Sequence, residues 1–120
     1  MARLVEVHLV VGLGLLALVA AAAVIGAPAA LRGQAPPAIY SWIHRAAAAV
    51  IFAQVLVGAV LFAIGRRPQS NLHVVYALAA VLVMPVARSL AGRAHSRAHI
   101  YQLGGTVLLL GVIFRLSTTG

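Results

Sequence analysis

The chain has 120 residues, of which 63% are hydrophobic and only 8% charged, whereas a soluble domain is nearer half apolar and a quarter charged. Its net charge of +8 comes from nine arginines against one acid, Glu6, with no lysine and no cysteine. This balance excludes disulfides, thiolate metal sites and chemistry on paired carboxylates. It also argues against nucleic-acid binding, which needs basic groups gathered on one water-facing surface among stacking aromatics.

A helix of about 20 mostly apolar residues crosses a hydrocarbon core of roughly 30 Å, and four such stretches use almost the whole length. The first runs from about Leu4 to Gly26. Its opening has the look of a secretory signal, but Glu6 and His8 fit poorly in a signal core, so a retained helix is expected. Pro28, Gly33, Pro36 and Pro37 then mark a linker, because proline has no amide donor and its ring crowds the preceding turn.

The second span covers about Ile39 to Gly65, with Tyr40 and Trp42 at the headgroup level favoured by amphipathic rings. Arg66, Arg67 and Pro68 close it. Ser70 or Asn71 can cap the third span, about Leu72 to Leu90, by accepting a bond from an amide of its first turn. Pro85 inside that span predicts a kink, tolerated where neighbouring helices satisfy the freed carbonyl. A short basic connection around Gly92–Arg97 leads to the fourth span, about Ala98 to Ser117. Short loops make consecutive helices antiparallel neighbours, so the expected fold is an all-α, up-down-up-down bundle of four transmembrane helices forming one domain.

Each span carries one histidine near its N-terminal end: His8, His44, His73 and His99. Alternating directions place His8 with His73 at one surface and His44 with His99 at the other. In hydrocarbon, polar side chains are kept where they meet another polar group or a cofactor. Helical spacing puts His8, Gly12, Leu15, Val19, Ala22 and Gly26 on one stripe, and His44, Ala47, Ile51, Gln54, Gly58 and Leu61 on another. His73, Tyr76, Ala80 and Met84 line the third helix, and His99, Gln102, Thr106 and Ile113 the fourth. Small residues in such stripes ordinarily serve close helix packing. Beside a histidine they also leave the gap that a flat macrocycle fills.

A b-type haem needs axial imidazoles from facing helices and cations for its propionates. His8 with His73 and His44 with His99 are therefore the candidate iron ligands. Arg66, Arg67 and Arg115, with Arg3, lie at the level of the first pair, and Arg45, with Arg93 and Arg97, at that of the second. Singly, each arginine also reads as a snorkelling anchor to lipid, and His95 reads as a solvated loop residue.

The stretch from Gln54 to Gly58 followed by Leu72-His73-Val74-Val75-Tyr76-Ala77 resembles part of the haem A synthase family, as does Ile43-His44-Arg45. The resemblance covers about the middle third of the chain and implies His44 and His73 as haem-binding residues. In that family, however, the histidine-arginine helix and the glutamine-glycine helix are separate, whereas here His44 and Gln54 share one helix. Small four-helix b-type cytochromes are a looser analogy.

The leading expectation is a membrane haem protein, an electron carrier rather than an enzyme, within a quinone-linked or respiratory assembly. Haem b is the expected cofactor and a quinone a further candidate. The alternative is a cofactor-free accessory subunit packed against other integral membrane subunits, and a third is a haem-processing protein resembling half of a haem A synthase. Membrane lipids are expected partners in each case, and the bacterial cytoplasmic membrane the expected location. Both termini should lie on one side. Four arginines there against five opposite give almost no orientation, and the proline-containing first loop tips the balance towards termini outside.

Overall fold

A computed structural model describes residues 2–120. It is all-helical among those residues: α1 (Ala2–Leu31), α2 (Ala38–Ala63), α3 (Leu72–Ala94) and α4 (Ala98–Thr119), with a 3-10 turn, His95–Arg97, between the last two. By length and hydropathy these make three segments able to cross a membrane, Ala2–Leu31, Ala38–Ala63 and Leu72–Thr119. The expected third and fourth spans thus belong to one helical run with no open loop between them. A straight run of 48 residues would measure about 72 Å at 1.5 Å per residue, yet the longest dimension of the molecule is 48 Å. The run therefore folds back, and α3 packs along α4. The reversal falls at His95, the one non-glycine residue with positive φ (47°) among those described.

α1 extends beyond its expected end, with Pro28 inside it. The proline removes the bond that the Val24 carbonyl would accept, but it does so in the last two turns, where Val24 is 73% exposed and an interfacial carbonyl can find water or a headgroup. Glycines with positive φ, Gly33 and Gly65, terminate α1 and α2. In each case the glycine amide bonds back three residues and the next amide five, as in Gly33 to Ala30 and Gln34 to Ala29, and Gly65 to Phe62 and Arg66 to Leu61. This is the Schellman closure, which needs a left-handed residue and favours glycine. At the start of α3 the Ser70 hydroxyl accepts the Leu72 amide at 3.2 Å, while Asn71 makes no side-chain cap.

The helices neighbour one another in the order α2, α1, α4, α3. α2 and α3, although consecutive, scarcely touch, against the expectation that short loops make close neighbours. The core is Leu15, Val19, Ala47, Ile51, Ala80, Leu109, Val112 and Ile113. Small residues set the closest approaches: a Cβ added at Gly105 of α4 would collide with Ala87 of α3, and one at Gly26 of α1 would meet the Tyr40 ring of α2. Outward faces carry Val10, Trp42, Phe52, Leu56, Leu82, Leu108 and Phe114, far more apolar surface than water tolerates on a monomer.

Candidate functional site

Because α2 and α3 stand apart, a cavity of about 450 Å³ opens between all four helices at the end where α1 and α3 begin. That volume falls within the range of small-molecule sites, roughly 300–1,000 Å³. The walls are mostly apolar, including Val5, Leu9, Leu13, Val55, Phe62 and Leu78, and the polar groups are few: His8, Gln54, His73 and Ser117. The His8 and His73 rings lie with centroids 6.3 Å apart and planes tilted by 57°. Gly58 of α2 and Gly12 of α1 each leave a methyl-sized space, where an added Cβ would just touch His8 Cε1 at 3.8 Å and Gln54 Nε2 at 3.7 Å.

His73 Nδ1–H donates to the Leu116 carbonyl at 3.2 Å and lies 3.4 Å from Thr119 Oγ1. The Thr119 hydroxyl donates to the Arg115 carbonyl at 2.9 Å, which leaves its oxygen free to accept from the ring. His73 is thereby fixed with a lone pair on Nε2. Gln54 Nε2 donates to the His8 main-chain carbonyl at 2.7 Å, tying α2 to α1 at this level. The His8 Nδ1 atom is buried without a hydrogen-bond partner.

Around this site the arginines lie on the surface. The Arg67 guanidinium sits over Phe62 at 5.3 Å, placing a cation beside a residue of the cavity wall, and Arg115 sits over Tyr76 at 5.9 Å. Arg66 is exposed next to Arg67.

The other end is built differently. His44 is 3% exposed and does not line the cavity of His8 and His73. Thr106 donates its single hydroxyl proton to the Gln102 carbonyl at 2.9 Å. Its oxygen therefore accepts from Tyr40 Oη at 2.7 Å and from His44 Nε2 at 3.1 Å. Tyr40 and His44 also meet edge to face, with centroids 4.5 Å apart. The structure does not bring His44 and His99 into ring contact. His99 is half-buried, and the Nδ1 atoms of both are buried without partners. Arg45 stacks on Trp42 at 5.5 Å, facing outward rather than towards His44.

Sequence reasoning missed the Tyr40 hydroxyl and the Gln54 bond to His8. Tyr40 lies one turn before His44 and so on the same face, a signal masked by its reading as an interfacial anchor.

The spacing of His8 and His73 matches what a haem asks of two axial imidazoles. Metal–imidazole bonds of about 2.0–2.1 Å, with about 1.1–1.2 Å from nitrogen to ring centre, put two axial rings roughly 6.2–6.6 Å apart. The observed 6.3 Å lies in that interval. A ligating histidine ordinarily donates its other N–H to a carbonyl or carboxylate, as His73 does to Leu116. Among the described residues no three His, Cys, Asp or Glu side chains cluster to hold a bare ion. A haem brings four nitrogens of its own and asks the protein for only one or two.

Compared with known protein families, curated proteins and solved structures, the chain has no significant match. The functional argument therefore rests on the geometry of the site.

Proposed function

We propose that the chain is a small integral membrane protein that holds one b-type haem between His8 and His73 and passes electrons through it, within a quinone-linked or respiratory assembly. The observation that carries the reading is the 6.3 Å separation of the two rings at the lining of one apolar cavity. When bound, haem supplies a one-electron couple whose potential is tuned by its ligands and surroundings. His73 supplies a lone pair held in place by Leu116, Gln54 fixes the backbone at His8, and the apolar walls exclude water. Arg66, Arg67 and Arg115 lie at the surface nearest this end, suited to anionic propionates.

In this reading the run Leu72–Thr119 crosses the membrane twice, giving four crossings in all. α3 and α4 have 23 and 22 residues, about 34 Å each at 1.5 Å per residue, enough for a core of roughly 30 Å. Both termini then lie on the side of the cavity.

The test is the reduced-minus-oxidised spectrum of protein extracted gently from cells making ample haem. Wild type should show low-spin haem bands and His73→Ala should lose them. A colourless wild-type protein would sink the proposal.

A second reading, a cofactor-free accessory subunit, is favoured by the outward faces of α1 and α4. Gly14, Gly104 and Gly111 have open space where a side chain would stand, and a shallow groove runs between Leu16, Ala20, Leu110 and Phe114. Small residues of this kind let a neighbouring helix approach closely in lipid.

A further inference from the structure

The two imidazoles of the cavity are held unequally. The His73 N–H is committed to Leu116, with Thr119 beside it. Among the described residues the Nδ1 atom of His8 has no partner, and the bond that reaches this residue from Gln54 on another helix goes to its main chain. An axial imidazole is oriented, and made a stronger donor, by what its second nitrogen donates to. His73 has that support and His8 lacks it.

We propose that His8 is a displaceable ligand and that its side of the cavity takes up a small neutral diatomic gas in its place, of the class that includes carbon monoxide, nitric oxide and dioxygen. The inference rests on the haem reading above. With haem held between His8 and His73, the exchange would be a ligand substitution in which His8 gives up its bond to reduced iron as the gas supplies a lone pair, with no net gain or loss of protons or electrons. Around His8 the walls are Val5, Leu9, Gly12, Val55 and Gly58, which suit an uncharged gas and repel hydrated anions. Gly58 leaves the His8 ring only an ordinary van der Waals contact on that side, at 3.8 Å from an added Cβ, so the ring has room to turn away. His73, between α4 and the loop before α3, has no such freedom.

The experiment uses the full chain with its haem in lipid nanodiscs, reduced under argon and titrated with carbon monoxide. Wild type should lose the sharp α-band of a bis-histidine haem and shift its Soret band to a saturating end point. His8→Ala should bind the gas faster, because no ligand has to leave, while His73→Ala should lose the haem. Without haem, ¹⁵N-histidine NMR should show His73 as a single Nδ1–H tautomer and His8 as a mixture; this measurement needs no variant to fold. A red protein that ignores saturating carbon monoxide, or a His8 ring fixed in one tautomer, would overturn the inference and leave the haem reading standing. A colourless protein would remove both.

Discussion

Replacing Thr106 by valine keeps the shape of the side chain and deletes one oxygen that three groups share. Thr106 is fully buried, and its hydroxyl accepts from Tyr40 at 2.7 Å and His44 at 3.1 Å while donating to Gln102. In the variant Tyr40 keeps a poorer acceptor, the Gln102 carbonyl at 3.5 Å, so its loss is partial. The His44 N–H loses the acceptor it has. An interhelical bond in lipid averages about 0.6 kcal/mol and reaches about 1.7, while a buried donor left unpaired costs about 1–3 kcal/mol. With about 1 kcal/mol assigned to Tyr40 and about 1–2 to His44, Thr106→Val should be destabilised by roughly 2–3 kcal/mol. Reversible unfolding in mixed micelles titrated with sodium dodecyl sulfate measures this directly. Thr106→Ser keeps the hydroxyl and should retain more stability than valine. Combining Thr106→Val with Tyr40→Phe should be clearly less than additive, since both remove one bond. A valine variant within about 0.5 kcal/mol of wild type, the range of an ordinary surface change, would show that the network does not hold α2 to α4.

Three further outcomes follow from the packing and the cavity. Gly105→Ala should cost about 1–3 kcal/mol in the same assay because its Cβ drives α4 off Ala87, as overpacking does, whereas Gly104→Ala, with open space around it, should be neutral or stabilising by up to about 1 kcal/mol; equal effects would refute the α3–α4 seam. Gly58→Leu should fill the cavity beside His8 and abolish the haem spectrum while the protein stays folded by circular dichroism; an unchanged spectrum would place the haem elsewhere. Single cysteines at Gly33, Gln69 and Ser96 should react with a membrane-impermeant maleimide from one side for Gly33 and Ser96 and from the other for Gln69. If Ser96 is protected, the hairpin of α3 and α4 does not reach the far side and the four-crossing proposal fails.

Much of the helix packing was legible in the sequence because, in lipid, polar and small residues mark the faces that meet. The stripe from Leu15 through Val19 and Ala22 to Gly26 is the buried face of α1, and that through His44, Ala47, Ile51 and Leu61 the buried face of α2. Alternating direction brought His8 near His73, as observed, but the same rule paired His44 with His99, whose rings do not meet, because His44 turns to Tyr40 and Thr106 instead. The helix ends were harder. Pro28 reads as a breaker, but a missing bond matters little in the last turns of a helix near water, and a loop rule applied to Gly92–Arg97 could not foresee that three residues of 3-10 helix suffice to reverse the chain. Partner choice was hidden for a different reason. Loop length says which helices are joined, whereas approach depends on side-chain volume, and Gly26 and Gly105 draw α1 to α2 and α4 to α3 while no such pair closes α2 on α3.

That unequal closure explains why two ends with similar histidine content differ in kind. At the His44 end, Tyr40 and Thr106 bridge α2 and α4 across the bundle diagonal, spending hydrogen-bonding capacity inside the protein and leaving His44 enclosed. At the His8 end the link between α3 and α4 is made by the Ser70 amide, which reaches the Thr119 carbonyl at 3.3 Å, and by His73 itself, while Gln54 reaches only as far as α1. Among the described residues no side-chain hydrogen bond joins α2 to α3, which scarcely touch, and the space between them is lined by two imidazoles. A chain needing only tight association would gain by closing this end as it closes the other, for an apolar void forfeits the contacts of its lining. Gly12 and Gly58 stand where larger residues would fill the space, and the gap they leave beside the histidine pair is the one the proposed haem would occupy.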